Sequence, residues 1–231
     1  MVCPGRPPVW CPSMRPDETV IRELKGHGAR AVRLLQRADG STHTVKSWVL
    51  TPWFITKCLM GIAQPWRHWR GSRRLQRAGL PTPPVESIRI GWLHGRPVLL
   101  LSMPFIEGRT ALERLQGETE PDDARVAEAL GRMVVTLAEA GLRHRDFKLS
   151  NVVLESPGDT VWLIDPVGVV RCRDRVHAMA CMLDRLEIEG RSGLVALPVA
   201  LRLAVSRTAL RLVDRPTRQA VLQQLRAHRR R

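Results

Sequence analysis

The sequence predicts an α+β fold in two lobes, strand-rich at first and helical afterwards. Three observations carry this reading. β-type segments bounded by Gly- and Pro-containing turns fill roughly the first hundred positions. Helical periodicity dominates from about residue 121 onward. The chain has 231 residues and is 44% hydrophobic, enough to bury a core in one domain or two closely packed lobes.

The elements follow in order. Residues 1–16 are Pro-rich and read as a loose arm. Val20–Leu24 reads as a strand leading into Lys25-Gly26-His27-Gly28, and Ala31–Leu35 as the next strand. Ala38-Asp39-Gly40 is a hairpin signal, and Thr42–Leu50 is the returning strand, carrying Lys46. The stretch 51–63 gives no clear period. Gln64–Ala78 reads as a helix closed by Gly79 and the prolines 81, 83 and 84. Ser87–Trp92 and Pro97–Ser102 read as strands around His94-Gly95-Arg96. Thr110 can cap a short helix over Ala111–Leu115. Asp122 or Asp123 caps a long helix with apolar residues at Val126, Leu130, Met133, Val134 and Leu137, ending at Gly141. Val152–Leu154 and Val161–Ile164 are short strands around Ser156-Pro157-Gly158-Asp159, and helices are expected over 176–188, 198–213 and 216–229.

Composition narrows the function classes. The longest apolar runs, such as Leu194–Leu201, fall far short of the roughly 20 residues that span a bilayer. The N-terminus shows no apolar signal segment, and five scattered cysteines argue for a reducing compartment, so a cytoplasmic protein is expected. The net charge is +15 and uneven: residues 40–85 hold seven Lys/Arg and no acid, and residues 190–231 hold ten Arg and only Asp214. Such surfaces suit a polyanion or an anionic membrane, or are solvated helix faces in an Arg-rich chain. There is no clear nucleic-acid signal: Tyr is absent and the Trp residues form no stacking platform.

Two rarities point to chemistry. There are 33 Arg but four Lys (Lys25, Lys46, Lys57, Lys148), and one Asn, Asn151. Lys148 and Asn151 fall in His144-Arg145-Asp146-Phe147-Lys148-Leu149-Ser150-Asn151, and Leu163-Ile164-Asp165-Pro166-Val167-Gly168 follows on the next strand. The hairpin between the two strings brings Asp165 close to Asn151. This set suits phosphoryl transfer. Mg²⁺ takes hard oxygen ligands, which Asp165 and the Asn151 amide can supply. Asp146 can align or deprotonate an acceptor hydroxyl, and Lys148 can neutralise the transferring phosphate. The blander readings are a structural role for His144, and helix packing for Cys172, Cys181, Trp66 and Trp69. Arg207, Arg211, Arg215 and Arg218 read as a solvated stripe first and a lipid-headgroup contact second.

The H-R-D-x-K-x-x-N string followed by I-D resembles the catalytic loop and metal segment of the protein-kinase-like superfamily. That resemblance implies a two-lobed kinase-like fold, with a first lobe over 17–103, a hinge at 104–107 and a trimmed second lobe over 108–231. It implies ATP and Mg²⁺, with Asn151 and Asp165 on the metal. Gly26 and Gly28 would form the flap over the phosphates, and Lys46 would anchor them. The backbones of Pro104 and Ile106 would hold adenine in Met103-Pro104-Phe105-Ile106-Glu107-Gly108, Pro104 through its carbonyl and Ile106 through its N–H.

Within the superfamily the chain looks most like the bacterial lipopolysaccharide core kinases, over roughly residues 20–190. Thr44-Val45-Lys46, Trp69-Arg70 and Ala78-Gly79-Leu80-Pro81-Thr82-Pro83 carry this likeness. It implies an ATP-dependent kinase acting on a hydroxyl of an anionic glycolipid core sugar, at the inner face of the cytoplasmic membrane. Two departures stand out. No acid lies between Asp39 and Glu86, so the helix glutamate that usually pairs with the strand lysine is missing, and Lys46 must pair elsewhere, with Asp165 or the nucleotide. No Ala-Pro-Glu follows Asp165. The alternatives are a catalytically impaired kinase-fold binding module and an atypical protein kinase.

Overall fold

The computed structural model describes residues 18–27, 30–93, 95–115, 123–156, 160–191 and 199–229. The expected N-terminal arm, Gly28, His94, Asp122 and the turn residues 157–159 lie outside this set. The chain divides into two compact units: one runs as far as Trp66 and adds Pro83–Phe105, and the other comprises Arg67–Thr82 and Ile106–Arg231. The segment 67–82, expected in the first lobe, thus groups with the second unit. The break between Phe105 and Ile106 falls inside the segment expected as a hinge.

The first unit is a five-stranded antiparallel sheet of β1 (Glu18–His27), β2 (Arg30–Arg37), β3 (Thr42–Val49), β4 (Ser87–Leu93) and β5 (Arg96–Pro104), in the order β1-β2-β3-β5-β4. Asp39 fixes the β2–β3 turn: its Oδ1 accepts from the Ser41 amide at 2.8 Å, and Gly40 takes a φ of 82°. Side-chain alternation sorts the sheet into two apolar faces. Leu35, Val45, Val98 and Leu100 share one, and Trp48, Leu101 and Met103 the other. β5 is buried continuously over Val98–Met103, which is why it carries the apolar run Val98–Leu101 rather than an alternating pattern. Helix α1 (Pro52–Leu59) follows β3. The Thr51 side chain caps it by accepting from the Phe54 amide at 3.2 Å, and Pro52 occupies its first turn.

The second unit is built on α4 (Asp123–Glu139), α5 (Arg175–Arg191), α6 (Val199–Arg211) and α7 (Arg215–Arg229). Its core, among the described residues, includes Leu130, Val134, Phe147, Leu163, Met179 and Leu75. Leu75 comes from α2 (Gln64–Arg77), which ends at Gly79 with φ 73°; the Leu80 amide bonds back to the Leu75 carbonyl at 3.0 Å. β6 (Gly108–Thr110) runs into α3 (Ala111–Leu115) through a reciprocal capping pair. The Thr110 hydroxyl accepts from the Glu113 amide at 3.1 Å, and the Glu113 carboxylate accepts from the Thr110 amide at 2.9 Å. β8 (Val152–Glu155) pairs with β6 and β9 (Val161–Leu163), and β7 (Leu142–His144) pairs with β10 (Val169–Arg171). No helix among the described residues is long and apolar enough to cross a membrane.

Candidate active site

The second unit brings Asp146, Lys148, Asn151 and Asp165 together. The loop that carries the first three leaves β7 and closes in a 3-10 turn over Leu149–Asn151. Phe147 is wholly buried and anchors the loop in the core, which turns its neighbours Asp146 and Lys148 the other way. Lys148 Nζ lies 3.0 Å from Asp146 Oδ2. The Asn151 amide Nδ2 donates to the Asp146 carbonyl at 3.0 Å, and the Ile164 amide donates to the Asn151 carbonyl at 2.9 Å. The β8–β9 hairpin therefore seats Asp165 beside the loop, as the spacing requires.

His144 is the structural link between the two strings. The Asp146 amide donates to its Nδ1 at 3.2 Å, so the ring proton sits on Nε2, which donates to the Asp165 carbonyl at 2.8 Å. Burial holds its pKa below the ordinary histidine value, so the ring is neutral, and the hydrogen bond to Asp165 offsets only part of that effect. Gly168 makes this approach fit: a Cβ there would stand 2.8 Å from His144 Cε1. Burial alone would raise the Asp146 carboxyl. Hydrogen bonds and charge from Lys148 and then Arg185 outweigh it, and the net pKa is below the ordinary value. Asp146 is thus a carboxylate at neutral pH, the form that can accept a hydroxyl proton or orient its donor.

The sequence does not single out Arg185. It reaches from α5 to Asp146 Oδ1 at 3.2 Å, opposite Lys148 on the other carboxylate oxygen. One arginine among 33 carries no mark in sequence that separates it from the rest. His68 is a second residue outside the motif strings. It is wholly buried on α2, with Nδ1 3.8 Å from Asp165 Oδ1. Its sequence signal is its place in the helix where the expected acid is missing. Arg145 is exposed.

The donor set suits a hard divalent cation. Asn151 is 8% exposed, and its Nδ2 is committed to the Asp146 carbonyl, which fixes the amide and leaves Oδ1 as the ligand end. Among the described residues no group of three His, Cys, Asp or Glu could hold a metal. A cation here would draw its remaining ligands from phosphate and water, as Mg²⁺ commonly does.

In the first unit, Lys46 lies mid-strand on β3, in register with Val32 of β2 and Leu101 of β5. Gly26 pairs with Ala31 near the end of the β1–β2 hairpin. Pro104 closes β5 opposite His43, and the next amide, of Phe105, donates to the Thr42 carbonyl at 3.2 Å. Ile106 opens the longer segment of the second unit.

Sheet order and elements together define a kinase-like fold, with a sheet-built first unit and a helical second unit. Among solved structures, the chain is similar to WaaP in complex with acyl carrier protein, with a TM-score of 0.60 and 19% identity, covering 90% of this chain and 86% of that one. That likeness shows the fold. No family model matches the chain, and no curated protein does.

Proposed function

We propose that the chain is an ATP-dependent kinase that transfers the γ-phosphoryl group to a hydroxyl of an anionic sugar of the lipopolysaccharide-core type. The observation that carries this reading is the loop geometry. One carboxylate, Asp146, is held by a lysine at 3.0 Å and sits beside an oriented Asn151 amide and the Asp165 segment. Asp146 aligns the acceptor hydroxyl and takes its proton, and Lys148 balances charge on the phosphoryl group in flight. Asn151 and Asp165 would hold Mg²⁺, which when bound supplies charge neutralisation on the phosphate oxygens. Gly26, Gly28 and Lys46 are assigned to the nucleotide phosphates, and the backbones of Pro104 and Ile106 to adenine. The likeness to WaaP supports the kinase-like fold that this reading needs, and the net charge of +15 suits an anionic acceptor.

The acceptor class calls for work at a membrane surface, and α1 supplies a contact suited to it. Phe54 packs toward the sheet, while Trp53 (65% exposed), Ile55, Leu59 (84%), Met60 and Ile62 face outward. Lys57 lies over the Trp53 ring at 4.9 Å. An apolar patch with an interfacial Trp and Lys, in a stretch without acids, fits the headgroup region of an anionic bilayer. A peripheral position on the inner face of the cytoplasmic membrane is the reading this patch supports.

The test is MgATP binding by the full chain with Asp165→Ala as control, then ATP turnover with and without lipopolysaccharide core. Mg²⁺-dependent binding lost in Asp165→Ala, with turnover raised by the glycolipid, is expected. Binding without turnover on any acceptor would favour the binding-module alternative, and no binding would overturn the assignment of the nucleotide site.

A further inference from the structure

The helix that lacks the expected acid is also the helix that grips the metal segment. Four residues of α2 on one face, Arg67, His68, Gly71 and Arg74, meet the chain between Asp165 and Val169. Arg67 donates to the Val167 carbonyl at 3.1 Å, and Arg74 donates to the Val169 carbonyl at 3.1 Å. Gly71 lies against Pro166 so closely that a Cβ would overlap the carbonyl oxygen and sit 2.8 Å from the carbonyl carbon. His68 completes the face, with Nδ1 3.8 Å from Asp165 Oδ1.

Its burial asks for a reason. The His68 side chain has 0% exposure, in a helix whose charged residues otherwise reach outward or to backbone carbonyls. Burying an imidazole among apolar groups is costly unless a polar partner is at hand. The carboxylate assigned to the metal stands beside it, with 3.8 Å between Nδ1 and Oδ1, a charge–dipole approach longer than a direct hydrogen bond. Asp165 is therefore held between two histidines: His144 takes its backbone carbonyl at 2.8 Å, and His68 faces its side chain. The approach is to Oδ1. A second carboxylate in the place of His68 would repel Asp165, whereas an imidazole N–H can steady it.

We propose that His68 is a positioning residue for Asp165, orienting its carboxylate toward the cation from a helix clamped to the metal segment by Arg67, Gly71 and Arg74. The inference rests on Asp165 being a metal ligand. Residues that orient a metal ligand from behind commonly change affinity by about tenfold or more.

The experiment is Mn²⁺ binding by the full chain in the presence of ATP, followed by the loss of free Mn²⁺ signal in electron paramagnetic resonance. Thermal unfolding of each variant serves as the fold control. His68→Leu removes the polar contact at similar volume, and His68→Asn returns an N–H near the Nδ1 position. We expect Mn²⁺ affinity to fall about tenfold in His68→Leu and to recover largely in His68→Asn, with unfolding temperatures close to the parent. Parent-like affinity in His68→Leu would overturn the proposal, as would equal losses in both variants. If His68→Leu does not fold, His68→Gln takes its place. Its amide extends beyond the Nδ1 position, so affinity well below that of His68→Asn supports the proposal and equal affinity overturns it. Binding abolished in Asp165→Ala but indifferent to every His68 variant sinks this inference alone. A parent chain that binds no Mn²⁺ with ATP sinks the metal-site reading and this inference with it.

Discussion

Replacing Gly71 by alanine sets two effects of opposite sign against each other. In an open helix the change is stabilising, by up to about 1 kcal/mol, because glycine gives up more backbone freedom on folding. Gly71 is not in the open. The new Cβ would stand 2.8 Å from the Pro166 carbonyl carbon, with the carbonyl oxygen nearer still. Carbon–carbon contacts settle at about 3.5–4.0 Å, so α2 and the 165–169 segment must part by about 0.7 Å or more. Overpacking of that order costs about 1–3 kcal/mol. Parting also stretches the Arg67–Val167 and Arg74–Val169 hydrogen bonds, each 3.1 Å now. The clash outweighs the propensity gain, and we expect Gly71→Ala to be less stable by about 1–2 kcal/mol. The assay is urea unfolding of the full chain, read as a lower midpoint with an unchanged slope. A variant as stable as the parent, or more so, would refute the close seating of α2 on this segment.

Four further outcomes follow from the same geometry. Asp146→Asn should bind MgATP like the parent yet turn over about 10²–10⁴-fold more slowly, measured as ADP release with glycolipid acceptor; a parent-like rate would remove Asp146 from the chemistry. Phe147→Ala should cost about 3–5 kcal/mol in denaturant unfolding, because its wholly buried ring anchors the loop; a loss under 1 kcal/mol would contradict that anchoring. His43 and His144 are buried with pKa values lowered by desolvation, so the unfolded chain binds more protons below about pH 6.5. Stability should therefore fall as pH drops from 6.5, by at most about 1.4 kcal/mol per pH unit for each histidine, and a flat unfolding temperature between pH 7 and 5 would count against it. Trp53→Ser with Leu59→Ser should abolish cosedimentation with anionic phospholipid vesicles while leaving unfolding unchanged; undiminished binding would remove α1 from the membrane contact.

The sequence by itself determined the loop of the candidate site, the two-part α+β order and most long elements. Each of these is encoded locally. Asp146, Lys148 and Asn151 lie within six positions, and one tight hairpin brings Asp165 to them, so chain connectivity alone sets their distances. The sheet strands and α4 carry their periods and turn residues in plain view, as do the glycine ends at Gly79 and Gly141, with φ of 73° and 66°.

What only the tertiary structure decided depends on partners distant in sequence. α1 was illegible because it is apolar on most sides and buries no residue, so it has no amphipathic period to read. The three-residue strands β6, β7 and β10 exist only through their cross-strand partners. The contact of Arg185 with Asp146 spans 39 positions, and the grip of α2 on 165–169 spans about a hundred. In a chain with 33 arginines, charge type cannot say which guanidinium turns inward. Packing makes that choice, because only folding brings a helix face, a glycine gap and a carbonyl row into register.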